Sequence, residues 1–178
     1  MIPETSQNMT IELYKCVDFP LKWKLEDVLI DDIKAADSTL FKHEEKYWLF
    51  TNEKLVENSD NWDVLNVFYS DNLFNGEWKR HPKNPVVQNV ESSRPGGSLF
   101  RQSGKMYRPG QNCLKHYGHG FTINEVTRLT ETTYEEKIVQ SVYPDWAKNL
   151  VSTHTINSVG KLTIIDVLVR RSKPLNIL

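Results

Sequence analysis

The sequence predicts an all-β protein built from repeated antiparallel units, and three observations favour this. Eight glycines and eight prolines punctuate short runs, and no longer segment keeps the 3.6-residue apolar period of a helix. The pieces LFKHEEKYWLF, LFRQSGKMYRP and TINSVGKLTIID each have the pattern of a strand, a short polar turn and a strand. They recur about every 55–60 residues, a spacing typical of one sheet per repeat in a β-propeller.

The first predicted unit is a four-stranded antiparallel sheet. Its clearest part is a hairpin of Ser38–Lys42 and Lys46–Thr51, and Val64–Tyr69 continues the sheet with clean alternation. Earlier in the chain, Ile11–Val17 alternates in the same way. Trp23–Ile30 is a further candidate strand, although its apolar positions also allow one helical turn.

A second unit and part of a third follow the first. The second is predicted from the strands Gly97–Phe100, Lys105–Arg108, Gly120–Leu129 and Tyr134–Val142, and the third from Thr153–Asn157 and Lys161–Val169. We therefore expect one partial propeller over residues 1–178, with about two and a half to three four-stranded blades. Residues 1–20 are assigned to the end of a preceding blade. Because propellers close with typically 4–8 blades, open sheets and exposed edges are expected.

Composition excludes several functional classes. The 22 Lys and Arg residues against 23 Asp and Glu give a net charge of −1, which does not favour nucleic acid as a partner. No basic start with an apolar region follows Met1, and no run of about 18 apolar residues predicts a membrane span. We expect a soluble, cytoplasmic chain.

Cofactor and metal motifs are missing from the sequence. No GxGxxG, phosphate-binding or nucleophile-elbow pattern occurs, so no cofactor is predicted. Cys16 and Cys113 are expected to be buried free thiols, since two distant cysteines form neither a zinc set nor a disulfide framework. His116 and His119 have i, i+3 spacing, but no third ligand is spaced to join them, so no metal site is predicted.

The segment Ser93–Gly118 carries the Arg-Pro-Gly tripeptide twice, beginning at Arg94 and at Arg108. Proline fixes φ and glycine permits close backbone approach, so each copy indicates an irregular strand end or bulge. If the two strands pair, both guanidiniums approach one end of a sheet, beside Gln111 and Tyr117. Such a surface would recognise a polyol or an anion. The alternative is that both arginines only cap sheet edges.

Within this segment, we expect Arg108 and Gln111 to rim a ligand site, while Arg94 braces the blade. Near the C-terminus, His154 and Asp166 occupy mirrored positions in the third hairpin, which lets them meet across it. One interpretation is that the two residues form a purely structural His–Asp pair. The alternative is that they form part of the wall of a binding pocket.

Three carboxylates are candidates for catalysis. Asp37 comes directly before a predicted inner strand, and Glu53 and Glu91 are possible acids. A glycosidase requires two carboxyl groups, about 5–5.5 Å apart for retention and about 6.5–9.5 Å apart for inversion. The structural alternatives are a strand-start residue that bonds backbone N–H groups for Asp37, and solvated loop carboxylates for Glu53 and Glu91.

Several motifs resemble a known family. These are DSTLFKHEEKYWLFTNE, LNVFYSDNLFNGEWKRHPKNPVV, RPGQ-x-C followed by YG, and HTIN followed by ID. The sequence resembles the propeller-type N-terminal domain of glucosamine inositolphosphorylceramide transferases and their bacterial relatives. The resemblance implies the C-terminal half of a five-bladed propeller related to glycoside hydrolase families 43, 32, 62 and 68. In glycoside hydrolases of this fold, an aspartate at the position of Asp37 commonly faces the axial pocket.

Three functions are open at this stage. The first is a binding module whose pocket faces a sugar or phosphosugar and is lined by Asp37, Arg94, Arg108, Gln111, Tyr117 and His154. The second is a glycoside hydrolase that uses Asp37 with Glu53 or Glu91. The third is a non-catalytic scaffold fragment. Because family members are often attached to a transferase domain, the expected partners are such a domain or a second chain that supplies the missing blades.

Overall fold

The computed structural model describes residues 1–53 and 63–171, and these form an all-β structure with one 3₁₀ turn at Ser6–Asn8. The strands of the first half are β1 Thr10–Asp18, β2 Lys22–Asp31, β3 Ala35–His43, β4 Lys46–Glu53, β5 Val64–Ser70, β6 Lys79–Arg80 and β7 Val87–Gln88. Those of the second half are β8 Phe100–Gln102, β9 Lys105–Asn112, β10 Gly120–Leu129, β11 Tyr134–Val142, β12 Leu150–Ser152, β13 Ile156–Val159, β14 Leu162–Ile165 and β15 Leu168–Val169.

Two sheets have the four-stranded antiparallel order of a propeller blade. The first blade runs β3-β4-β5-β6, with β7 also paired to β5, and the second runs β8-β9-β10-β11. The pairs β1-β2, β13-β14 and β12-β15 form smaller sheets on either side. The predicted partial propeller is confirmed, and the segment Trp23–Ile30 is strand, not helix.

The hydrophobic core lies between sheets. Leu49 and Phe50 are adjacent in β4 and both fully buried, because successive side chains of a strand point to opposite faces and each face is covered. Phe50 belongs to the cluster between the two blades, with Trp48, Leu65, Val67, Leu99, Met106, Val126, Leu129 and Tyr134. Leu49 belongs to a second cluster that joins the first blade to the β1-β2 hairpin, with Ile11, Leu29, Ile33, Ala35 and Phe68. Burial on both faces explains the uninterrupted apolar run Trp48-Leu49-Phe50.

Each end of this row of sheets presents exposed apolar side chains. The N-terminal end surface consists of Val17, Phe19, Leu21, Trp23, Leu25 and Val28, with Phe19 82% and Leu21 86% exposed. The C-terminal end surface consists of Val159, Leu162, Ile164, Ile165, Val167, Leu168 and Val169. Both surfaces agree with the expected open sheets of a partial propeller.

Candidate functional site

An open cavity of about 440 Å³ lies where the edge strand of the first blade meets the segments that lead into β8 and β13. Its described lining is Met1, Ile2, Leu13, Asp37, Ser38, Thr39, Leu40, Pro95, Gly97, Ser98, Thr155 and Asn157. We call it the inner-edge cavity, because β3 and β8 are edge strands of their sheets. Of the sequence-predicted site residues, Asp37 contributes directly to this lining.

Asp37 lies at an irregularity in β3. Ala36 pairs with Asn52 and Thr39 pairs with Phe50, so Asp37 and Ser38 together oppose Thr51. Asp37 has a φ of 54°, in the left-handed region that aspartate tolerates better than most residues. Bulges of this kind redirect side chains next to functional sites. Here the bulge places Asp37 and Ser38 side by side in the cavity wall.

Two side chains from the second blade hold the Asp37 carboxylate. The Nε of Arg94 forms an ion pair with Oδ2 of Asp37. The Nε2 of Gln111 donates to the same oxygen at 3.0 Å and to the carbonyl oxygen of Pro95 at 2.8 Å. Gln111 is fully buried, and its Oε1 has no donor among the described residues. The Asp37 carboxylate is therefore fixed in orientation before any ligand arrives.

Aromatic rings extend this network. The guanidinium of Arg94 lies 5.5 Å from the ring centroid of Tyr117, which lies 4.7 Å from the ring centroid of His154. Burial raises the pKa of the Tyr117 hydroxyl, so Tyr117 remains neutral and offers a stacking face with a polar tip. The structure thus brings together four of the predicted ligand-binding residues, Arg94, Gln111, Tyr117 and His154.

His154 and Asp166 meet across the third hairpin as predicted. Nδ1 of His154 lies 2.5 Å from Oδ2 of Asp166, although not in the direction of a hydrogen bond. Oδ1 of Asp166 accepts bonds from the backbone N–H of His154 at 2.9 Å and of Thr155 at 2.6 Å, and from the Thr155 hydroxyl at 3.0 Å. Burial opposes ionisation of Asp166, but these bonds outweigh it and hold its pKa below the usual value. Asp166 thereby organises the strand start that carries Thr155 into the cavity wall.

Arg108 has a different position from the one predicted. Its side chain is 0% exposed and forms a two-pronged ion pair with Glu136 of β11, at 2.8 and 2.6 Å. Its Nη2 also donates to the carbonyl oxygen of Ser92 at 2.7 Å. Arg108 and Gln111 were both expected to rim a ligand site, but both are 0% exposed and neither belongs to the described cavity lining, so the expected roles of the two arginines are exchanged. Arg108 braces the blade, and Arg94 is the arginine that reaches the Asp37 carboxylate of the cavity wall.

The two Arg-Pro-Gly copies lie side by side. Pro95 and Gly110 form an antiparallel bridge. The backbone N–H of Gly96 donates to the carbonyl oxygen of Pro109 at 3.0 Å, and that of Gln111 donates to the carbonyl oxygen of Arg94 at 2.7 Å. The bridge permits Arg94 and Gln111 to reach the same carboxylate. Glycine is required at position 110, because a Cβ there would lie 2.2 Å from the carbonyl oxygen of Ser92.

The two other candidate catalytic carboxylates are not part of the described cavity lining. Glu53 is buried and accepts two bonds from Arg80, at 2.8 and 2.7 Å, and one from Asn66 at 3.0 Å. Glu91 is partly exposed and lies in a turn. Its backbone carbonyl oxygen accepts a bond from the Thr122 hydroxyl at 3.4 Å. Among the described lining residues, Asp37 is the one carboxylate. The paired carboxylates of the hydrolase hypothesis are not brought together at this cavity.

Sequence reasoning missed some residues of the site. Ser98 and Asn157 line the cavity, and Oδ1 of Asn157 accepts the Ser98 N–H at 2.9 Å. The motif HTIN contains Asn157, which was the available signal. Glu136, the partner of Arg108, lies 28 residues away in the chain, and no local pattern marks it.

Metal-ligating side chains do not cluster in the described part of the chain. No group of three or more His, Cys, Asp and Glu side chains within 1–53 and 63–171 is arranged to hold a metal ion. Rings of His116 and His119 pack edge to face at 5.4 Å. Cys113 is partly buried, and burial raises the pKa of its thiol. In the described part of the chain, no helix has the length and apolar character needed to cross a bilayer.

The two antiparallel blades and their flanking sheets define part of a β-propeller. A crystal structure of 1,3Gal43A, an exo-β-1,3-galactanase from Clostridium thermocellum, superposes with a TM-score of 0.56 at 16% identity. The match covers 84% of this chain and 35% of that chain, and at this identity it establishes the fold alone.

Sequence comparison identifies the family. Residues 1–159 match the family model described as glucosamine inositolphosphorylceramide transferase 1, N-terminal, and the chain belongs to this family. It is 35% identical over 138 residues to glucosamine inositolphosphorylceramide transferase 1 of Oryza sativa subsp. japonica and of Arabidopsis thaliana. The aligned region is 76% of this chain and 18% of each relative, so the chain spans less than a fifth of the curated relatives' length. The family resemblance predicted from the motifs is confirmed.

Proposed function

We propose that this chain is a carbohydrate- or phosphosugar-binding propeller module of a larger glycan-modifying protein, and that the inner-edge cavity takes the ligand. The observation that carries this proposal is the Asp37 carboxylate, which Arg94 and Gln111 hold from the neighbouring blade. A carboxylate oriented in advance accepts ligand hydroxyls without the entropic cost of ordering its own side chain.

The lining of the cavity suits a sugar. Hydroxyl and amide groups of Ser38, Thr39, Ser98 and Asn157 stand beside the apolar side chains of Leu13, Leu40 and Pro95. Sugar rings present both hydroxyl groups and apolar C–H faces, and binding sites combine a few polar groups with apolar surface. Tyr117 lies next to Arg94 in the same network and is 47% exposed, and its ring packs against the Arg94 guanidinium and the His154 ring.

Binding is favoured over hydrolysis. Hydrolysis of a glycosidic bond requires two carboxyl groups that flank it. The Glu53 carboxylate already binds the Arg80 guanidinium and the Asn66 amide. Neither Glu53 nor Glu91 belongs to the described lining. The galactanase named above has the same fold, but a shared fold does not carry the activity of one protein to another.

The two end surfaces support a place within a larger propeller. Packing between the two blades is apolar and fully buried, and the end surfaces present the same kind of side chains to solvent. Exposed apolar patches of this sort mark interaction sites. We propose that further blades cover both surfaces, supplied by another part of a longer polypeptide or by a second chain, and that a transferase domain accompanies them.

A glycan array, followed by isothermal titration calorimetry with the best ligands, tests the binding function. The intact protein should retain at least one class of glycan, and Asp37→Asn should weaken binding about tenfold or more by removing a charge-assisted hydrogen bond. Asp71→Asn is the matched control, because it removes the same charge from an exposed carboxylate paired with Lys46.

Two outcomes would contradict the proposal. One is a failure of the intact protein to bind any glycan, and the other is equal binding by the Asp37→Asn variant. Turnover of aryl glycosides that is lost in Asp37→Asn and kept in Asp71→Asn would replace the binding function with hydrolysis.

A further inference from the structure

We infer that the ligand of the inner-edge cavity is an uncharged sugar and not a sugar phosphate. This inference rests on the proposed function and narrows it to one chemical class. It depends on three features. These are the ion pairs that already match the charges around the cavity, the hydrogen-bonding groups of the lining, and the buried Oε1 of Gln111, which has no donor among the described residues.

The side-chain cations near the cavity already have carboxylate partners. Arg94 is paired with Asp37, and its side chain is only 13% exposed. Arg108 is enclosed in the second blade with Glu136, and His154 lies against Asp166. The described lining includes no Lys, Arg or His side chain. The α-amino group of Met1 is the remaining cation at the lining, and it donates to the carbonyl oxygen of Tyr14 at 2.8 Å.

A phosphate group would meet the wrong charge here. Proteins bind phosphate with unmatched arginine forks, lysines or several backbone N–H groups, because the dianion must replace the water that it loses. In this cavity a phosphate would approach Asp37, and like charges at close range repel. If Arg94 turned to the phosphate, the Asp37 carboxylate would lose its ion pair. Both routes weaken the binding of an anion.

Hydroxyl groups match the same wall without this conflict. An ionised carboxylate only accepts hydrogen bonds, and a sugar hydroxyl donates to it in a strong, charge-assisted bond. The amide of Asn157 uses its oxygen for the Ser98 N–H, which leaves the amide nitrogen as a donor toward a hydroxyl oxygen. The Asp37 carboxylate and the Asn157 amide therefore supply an acceptor and a donor at the lining, and sugar hydroxyls can use both kinds of group.

The amide of Gln111 adds an independent observation. Its Nε2 is fully used by Asp37 and the Pro95 carbonyl, so the amide orientation is fixed and its buried Oε1 lacks a donor among the described residues. A buried acceptor needs an N–H or O–H donor. Because Gln111 is 0% exposed, that donor can be a buried water that bridges Oε1 to a ligand hydroxyl.

Calorimetry with matched pairs of ligands tests the inference on the intact chain. The probes are glucose, galactose and mannose, each beside its 6-phosphate, at 50 mM and at 300 mM NaCl. We expect the neutral hexose of a pair to bind at least about tenfold more tightly than its phosphate, with an affinity that does not change between the two salt concentrations.

The Asp37→Asn variant sharpens this test, since asparagine also tolerates the left-handed backbone of position 37. It removes the repelling charge and the carboxylate partner of Arg94, so the ratio of phosphate affinity to neutral affinity should rise about tenfold or more. Tighter binding of the phosphates by the unchanged protein, or an affinity that falls with salt, would overturn the inference and leave the proposed function standing. If no member of the panel binds and the glycan array is also negative, the proposed function itself fails.

Discussion

The Nε2 atom of Gln111 lies 3.0 Å from Oδ2 of Asp37, although the two residues are 74 positions apart and belong to different blades. The bond joins the bulge of β3 to the end of β9, and it fixes a carboxylate of the inner-edge cavity from behind. The cavity wall is thus a product of packing between blades, and its geometry depends on both.

Replacement of Gln111 by glutamate should destabilise the protein strongly above the pKa of the new carboxyl group. The isosteric Gln111→Glu change places a second carboxylate beside Asp37 and the Pro95 carbonyl oxygen in a fully buried position. An unpaired buried charge costs about 3–5 kcal/mol. Urea unfolding at pH 8 and pH 5 measures the effect, which should be larger at pH 8.

The matched control for this prediction is Gln102→Glu, which adds the same charge at an exposed position in β8. It should change stability by less than about 0.5 kcal/mol. Equal unfolding curves for the two variants would contradict the tight contact between Gln111 and Asp37.

Arg108 is expected to be a stability residue. Lysine cannot reproduce the two-pronged contact with Glu136 and the bond to Ser92, so Arg108→Lys leaves part of a buried carboxylate unsatisfied. We expect a loss of about 3–5 kcal/mol in the free energy of unfolding. Arg101→Lys, at an exposed position of the same blade, serves as the control in the same urea titration. A small effect of Arg108→Lys would show that the Glu136 contact contributes little.

Close packing at the second Arg-Pro-Gly copy should make Gly110 intolerant of a side chain. In Gly110→Ala the new methyl group would lie 2.2 Å from the Ser92 carbonyl oxygen, and the backbone must shift to relieve this contact. The expected cost is about 3 kcal/mol. Gly104→Ala is the comparison, because no atom lies within 4 Å of its new Cβ and only the φ of +77° is unfavourable, at about 1 kcal/mol. Thermal unfolding of both variants decides whether steric contact dominates.

Stability should fall on mild acidification because of His81. This side chain is 1% exposed, with Nε2 at 3.1 Å from the Thr130 carbonyl oxygen and Nδ1 accepting the Lys83 N–H at 3.2 Å. Burial lowers its pKa, and the bond to Thr130 compensates only in part. Between this lowered pKa and the unfolded value of about 6.5, the unfolded chain binds more protons. The His81 contribution is therefore complete above about pH 6.5 and is lost as the pH drops toward the folded-state pKa, by at most about 1.4 kcal/mol per pH unit.

Urea unfolding from pH 7.5 to 5 tests this pH dependence. His81→Gln should be less stable at pH 7.5 and should show a flatter pH profile than the unchanged protein. His116→Gln, which removes an exposed histidine, should keep the original slope. An unchanged slope in His81→Gln would mean that other groups account for the acid sensitivity.

Sequence reasoning worked well where partners are close in the chain. The hairpins β3-β4, β8-β9 and β13-β14 follow from alternation around short polar turns, and the contact of His154 with Asp166 follows from one of them. Local patterns predict such features because strand pairing across a short turn fixes the register.

The arginine roles could not be deduced in this way. Which face of the sheet Arg94 and Arg108 occupy depends on the bridge between Pro95 and Gly110, and the partner of Arg108 is the distant Glu136. The bulge at Asp37 was equally hidden, since its left-handed backbone has no signature in the residues around it. The position of the candidate site was therefore partly predictable, and its internal contacts were not.

The burial of β4 on both faces also sets a limit on how this protein can be divided. Leu49 packs toward the β1-β2 hairpin and Phe50 toward the second blade, so one strand serves two cores at once. A shortened chain that begins at Ala35 would uncover Leu49 and Phe68 and lose one of those cores outright. Useful truncations must therefore keep whole neighbouring sheets. Each core is shared by two sheets, so a single blade does not contain a complete core.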